Sequence, residues 1–169
     1  KNLQSFVVNS PNNQIKINIF EDSRYLKYQV FFEDSLIIDK SKLGFIFKNG
    51  NYFPKTEHVI TIEKKSYKNI WELPWGETKK VENHYNEIKV AFKNVQNIHI
   101  GDIIFRAYND GIAFRYRFYE DMYNKDSLVI SDEITEFRLV EDAQTWWIPA
   151  YDENRYENLY KNTKVSIMD

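Results

Sequence analysis

What most constrains this chain is a two-residue alternation of apolar and polar side chains, restarted many times in short runs. Ile15, Ile17 and Ile19 alternate with Lys16 and Asn18, the mark of a strand with one face buried. After a polar break at Glu21-Asp22-Ser23 comes Tyr28-Gln29-Val30-Phe31-Phe32. Residues 36–38 and 43–47 read as two more short strands, and Val59-Ile60-Thr61-Ile62 as another. No segment holds a 3.6-residue period for three turns. Aromatic residues make up 17% of the chain and glycine is scarce, a composition that suits strands better than helices.

The clearest element is a hairpin. Residues 103–108 run into Asn109-Asp110-Gly111, and residues 112–118 run out. Asp110-Gly111 is expected to supply the positive φ angles of a tight turn. On the outgoing strand Ile112, Phe114, Tyr116 and Phe118 face one way, and Arg115 and Arg117 the other. Residues 128–130 and 134–139 continue the strand pattern. Many short strands with closely spaced turn signals predict an all-β sandwich.

With 169 residues the chain is expected to be one domain, residues 1–169, able to bury about 70% of its unfolded surface. It has no cysteine, which excludes disulfides, thiolate metal sites and cysteine nucleophiles. Lys+Arg 23 against Asp+Glu 25 leaves a net charge of -2, so there is no electrostatic footprint for nucleic acid or anionic membrane. No apolar run reaches the length of a membrane span. Lys1 is preceded by no initiator Met or signal-like region, which reads as a mature or trimmed chain.

Three constellations could carry chemistry. Trp71-Glu72-Leu73-Pro74-Trp75-Gly76-Glu77 followed by Asn83-His84-Tyr85-Asn86-Glu87 could line a sugar or metal site through Trp75, His84 and Glu87. The blander reading is a loop pinned by two tryptophans and then a polar strand. It is preferred, because a lone histidine lacks the convergent donors of a metal site. His84 and Glu87 are also three apart, so on a strand they face opposite ways and cannot act as an acid–base pair for sugar mutarotation. In the hairpin loop, Asn109 and Asp110 could meet a ligand, but turn chemistry explains them.

The third constellation runs from Trp146 to Tyr160. It holds two adjacent tryptophans, three tyrosines, a proline and the carboxylates Asp152, Glu153 and Glu157. Extended, Trp146 and Trp147 point to opposite faces. From Asp152 as a cap, one helical turn would put Tyr156 and Tyr160 on one face and Glu153 and Glu157 on another. Carboxylates suit calcium, but a calcium shell of six to eight oxygens needs more than one short segment. Within this chain, a solvated acidic turn is the safer reading.

Taken in order, several segments resemble the N-terminal domain of glycoside hydrolase family 97, a family of bacterial α-glucosidases and α-galactosidases. They are Ser41-Lys42-Leu43-Gly44-Phe45, Trp75-Gly76-Glu77, Asn83-His84-Tyr85-Asn86-Glu87, Phe105 to Tyr116, Glu133 to Phe137, and Trp147-Ile148-Pro149 with the acidic-tyrosine run to Thr163. The resemblance implies a β-super-sandwich like that of galactose mutarotases, packed on a catalytic (β/α)8 barrel that follows in the same chain. It implies a calcium ion in the active site of the whole enzyme, with one ligand from the N-terminal domain after the Trp-x-Pro segment. Alignment from the chain end places Glu157 there, with Glu153 the alternative if the register slips. Acid, base or nucleophile would lie on the barrel, and no residue here matches them. The chain ends at Asp169, before any barrel strand could begin, so the expectation is one non-catalytic domain of a larger bacterial enzyme, periplasmic or secreted. The other reading is an independent carbohydrate-binding module stacking sugars on Trp146 or Trp75.

Overall fold

The computed structural model describes residues 5–22, 24–55, 59–94, 96–119, 128–149 and 158–168. They fall into two compact units, Lys1–Arg138 and Leu139–Asp169.

The first unit begins with four strands in sequential antiparallel order: β1 (Ser5–Asn9), β2 (Ile15–Asp22), β3 (Tyr25–Phe32) and β4 (Ser35–Lys42). The alternation expected for residues 15–19 is observed. Ile15, Ile17 and Ile19 are buried while Lys16 and Asn18 stay partly exposed. Leu26, Tyr28 and Val30 of β3 join them in the core. The hairpin between β3 and β4 turns on Glu33 and Asp34, both at positive φ (45° and 65°), with Phe32 opposite Ser35. Two successive left-handed residues are what a two-residue hairpin needs to match strand twist, although neither residue is the usual Asn or Gly.

Residues 43–47 do not form one strand. Strand β5 is Phe45–Phe47, and Leu43-Gly44 breaks it from β4. Gly44 has a φ of 134°, and a Cβ there would sit 2.1 Å from the Phe53 carbonyl oxygen. The break is stitched by side chains: Tyr116 Oη accepts from Gly44 N at 3.0 Å, and Tyr52 Oη donates to the Leu43 carbonyl at 2.7 Å. Strand β6 (Tyr52–Phe53) pairs with β5.

A second sheet follows: β7 (Val59–Glu72), β8 (Lys80–Lys93), β9 (His99–Tyr108) and β10 (Ile112–Phe118), in the order β10-β9-β8-β7. Ile88, Val90, Phe92, Ile103 and Phe105 point inward and are fully buried. Each such side chain contributes about 1.5–3 kcal/mol by leaving water. On β10 the expected division holds, with Ile112, Phe114, Tyr116 and Phe118 packed on the core and Arg115 and Arg117 exposed.

The turn before β10 differs from expectation. Ala107 pairs with Ile112, so the loop is Tyr108-Asn109-Asp110-Gly111, closed by Tyr108 N donating to the Gly111 carbonyl at 2.8 Å. Neither Asp110 nor Gly111 lies in the left-handed region. A four-residue loop does not require it, and Asn109 Oδ1 instead accepts the Asn12 backbone N–H at 2.9 Å, tying this loop to the β1–β2 turn.

Residues 134–137 also depart from the strand reading. Strand β11 is Ile130–Glu133, beside β5, and strand β12 is Arg138–Leu139. Between them Ile134 N and Glu136 N donate to the Gly44 and Lys42 carbonyls at 2.9 Å each, so the segment is held without forming a ladder. In the second unit, β13 (Gln144–Trp147) pairs with β14 (Lys161–Lys164), and a 3-10 turn follows at Val165–Ile167. The all-β expectation is met.

Candidate functional site

Within the first unit, Trp75, His84 and Glu87 do not converge on one site. Glu157, with Asp152 and Glu153, lies outside the described residues. Among the described residues, no group of three or more His, Asp or Glu side chains could hold a metal ion. No described helix is long and apolar enough to cross a membrane.

In the second unit the two tryptophans do take opposite sides of β13. Trp146 is 70% exposed. Trp147 is half-buried, donates from Nε1 to Thr163 Oγ1 at 2.9 Å, and has Lys161 Nζ 4.9 Å from its ring centroid. Trp147 therefore fastens its own hairpin, and Trp146 is the aromatic face left to water.

Trp75 occupies the loop of the β7–β8 hairpin. Strands β7 and β8 pair along their whole length from Val59↔Lys93 to Glu72↔Lys80, but β9 reaches only as far as Tyr85 on β8. The distal part of the hairpin is thus a two-stranded ribbon. It leaves Ile70, Trp71 and Leu73 exposed, and Trp75 is 84% exposed. The loop is not pinned by its tryptophans: Leu73 N donating to the Lys79 carbonyl closes it, and Trp75 stands in solvent.

His84 and Glu87 separate as strand parity demands. His84 lies 3.9 Å from Glu82 Oε1. Glu87 is buried on the other face, where Oε2 accepts from Arg106 Nε at 2.8 Å and Oε1 pairs with Lys65 Nζ at 3.0 Å. Burial alone would raise the Glu87 pKa, but the hydrogen bonds from Arg106 and Lys65 outweigh it and hold the carboxyl below its ordinary value. Glu87 is a structural ion-pair partner here, with no proton to give.

One polar cluster was not foreseen. Asp102 on β9 is fully buried and accepts from three side chains: His99 Nε2 at 2.6 Å, Arg117 Nε at 2.9 Å and Tyr119 Oη at 2.8 Å. Burial again works to raise its pKa, and the bonds from Tyr119, Arg117 and His99 reverse the sign, leaving it depressed. The available signal was a lone aspartate inside the apolar run Ile100 to Phe105, followed across the hairpin by Arg117.

Comparison with known proteins agrees with this architecture. The family model described as Glycosyl-hydrolase 97 N-terminal matches residues 8–169. A retaining alpha-galactosidase of Bacteroides thetaiotaomicron is 28% identical over 113 residues, which is 67% of this chain and 16% of that protein. A glycoside hydrolase family 97 enzyme from Pseudoalteromonas sp. strain K8, solved in complex with acarbose, superposes with a TM-score of 0.82 at 33% identity. The match covers 94% of this chain and 24% of that one. A beta-arabinopyranosidase shares the fold at a TM-score of 0.74 and 23% identity, over 88% of this chain and 23% of its own. The chain thus spans a quarter or less of the length of these relatives. With the family pattern running through residues 8–169 and the strand architecture in agreement, this chain belongs to the N-terminal domain family of glycoside hydrolase 97.

Proposed function

We propose that residues 1–169 form the N-terminal, non-catalytic domain of a calcium-dependent glycoside hydrolase acting on α-linked glucosides or galactosides. In the whole enzyme, a bacterial protein of the periplasm or the medium, the domain packs on a catalytic (β/α)8 barrel of the same chain. The observation that carries this reading is a mismatch of coverage. Nearly the whole chain matches an enzyme solved with acarbose, yet it accounts for 24% of that enzyme. Large apolar side chains left in water on the distal β7–β8 ribbon, Ile70, Trp71, Leu73 and Trp75, support a surface meant to be covered. The relatives' names supply the substrate range, one an alpha-galactosidase and the other solved with panose and with acarbose.

Glu157 is the residue we assign to calcium. A carboxylate is the right donor for a hard cation, and a shell of six to eight oxygens must draw on more than this chain. The test is Glu157→Gln in the whole enzyme, read by calcium titration and by turnover on α-glucosides and α-galactosides. Weakened calcium affinity together with reduced turnover is expected; both unchanged would sink the assignment.

A second reading rests on the exposure of Trp75 and of Trp146, at 84% and 70%. Both offer an open ring face to a sugar, so the domain could act as a carbohydrate-binding module. Titration of the chain with maltose and melibiose decides: saturable binding lost in Trp75→Ala or Trp146→Ala supports this reading, and no binding leaves the packing domain.

A further inference from the structure

We propose that the outward face of the β7–β10 sheet, centred on Arg115, is a binding cleft for an acidic saccharide, one carrying a carboxylate or a sulfate group. Strand register builds this face in rows. Lys65, Glu87, Arg106 and Ala113 stand side by side, then Glu63, Lys89, Ile104 and Arg115, then Asp102 and Arg117. A cleft of about 180 Å³ lies over them. Six of its nine lining residues are cations and two are carboxylates, so its field selects anions.

The cations are not equivalent. Arg106 is fixed through Nε to buried Glu87 and lies over the Tyr85 ring at 4.3 Å. Arg117 is fixed through Nε to buried Asp102. Lys65 and Lys89 pair with Glu87 and Glu63. Arg115, between these anchored groups, is exposed and has no hydrogen bond or ion pair among the described residues. Arg115 and Arg117 are two apart on one strand face, about 7 Å from each other, and Arg106 is the diagonal neighbour of Arg115. Three guanidinium groups so placed repel one another. An oxyanion between them relieves that repulsion and meets planar donors already held in position by buried carboxylates.

A ring-bearing ligand is favoured over a bare anion by what borders the cleft. Tyr67, Tyr85 and Tyr108 form a cross-strand ladder on the same face, with ring centroids 5.3 and 5.2 Å apart. Tyr108 lines a hollow with Arg106 and Arg115, and its half-buried ring offers a surface to sugar C–H groups beside the guanidinium cluster.

The test is titration of the full chain with inorganic sulfate, with a sulfated or uronate disaccharide, and with maltose, followed by the NMR signals of the arginine Nε–H groups. The acidic disaccharide is expected to saturate with a Kd of about 1 mM or tighter at low salt, and to weaken at least about fivefold in Arg115→Gln. Because Arg115 is exposed and has no partner among the described residues, that variant should keep the thermal midpoint of the parent, which separates lost binding from lost fold. Tyr108→Ala is expected to weaken the disaccharide and to leave sulfate unchanged. Equal binding by the parent and Arg115→Gln, or saturation by maltose at the same concentration, overturns the proposal. Sulfate bound as tightly as the disaccharide overturns the saccharide assignment.

Discussion

Arg117 on β10 lies directly opposite Asp102 on β9, and its Nε donates to Asp102 Oδ2 at 2.9 Å. A fully buried carboxylate is costly unless its charge is answered. Here one guanidinium, one imidazole and one phenol answer it together.

Asp102→Asn is therefore expected to destabilise the first unit by about 3 kcal/mol, the lower end of the range for breaking a buried pair, because Arg117 can rehydrate once released. Urea denaturation measures it. Arg115→Gln, one row away with no partner among the described residues, serves as the control and should stay within about 0.5 kcal/mol.

The same carboxylate sets a pH dependence. Its pKa is depressed below the ordinary 3.8 in the folded state, so the folded chain holds its proton more weakly than the unfolded chain does. The resulting stability is fully present above about pH 4, the unfolded value, and is lost as pH falls through the folded one. The difference in unfolding free energy between the parent and Asp102→Asn should shrink as pH falls below about pH 4. A difference that stays constant at low pH would show that Asp102 does not titrate as described.

Two glycines should respond oppositely to alanine. Gly44 has a φ of 134° and its added Cβ would meet the Phe53 carbonyl oxygen at 2.1 Å. Gly44→Ala should cost about 3 kcal/mol or more, from strain and collision together. Gly111 lies outside the left-handed region and an added Cβ meets nothing within 4 Å. Gly111→Ala should be neutral or stabilise by up to about 1 kcal/mol through the unfolded chain. A large loss at Gly111, read by thermal or urea unfolding, would restore the tight Asp-Gly turn.

The β3–β4 turn carries removable strain. Glu33 and Asp34 sit at φ of 45° and 65°, where Asn and Gly are better tolerated. The double change Glu33→Asn with Asp34→Gly should raise stability by about 0.5 kcal/mol, net of the exposed Lys16–Asp34 contact at 3.5 Å and the exposed Gln14–Glu33 hydrogen bond at 2.9 Å that it removes. A raised urea midpoint with unchanged slope would support it.

Much of the candidate chemistry was legible residue by residue. Parity alone separated His84 from Glu87 and put Trp146 and Trp147 on opposite faces, and the structure shows both separations. The anchoring of Arg106 by Glu87 was not legible, because Glu87 and Arg106 are neighbours only through the β8–β9 register. Gly44 likewise reads as part of a strand until the Phe53 carbonyl is brought against it.

What the sequence determined by itself is therefore the face on which each strand residue lies. Side-chain alternation is a local property of extended backbone, and Ile17, Tyr28, Phe114 and Arg115 stand where their positions in the run require. What only the tertiary structure decided is who stands opposite whom. A two-residue turn at Asp110-Gly111 would have set Asp102 against Tyr119; the observed four-residue loop slides the pairing by two and sets it against Arg117. A slip of two keeps every side chain on its face, so the hydrophobic pattern cannot choose between the registers. Loop conformation and the burial of one carboxylate choose instead, and they assemble the guanidinium cluster around Arg115.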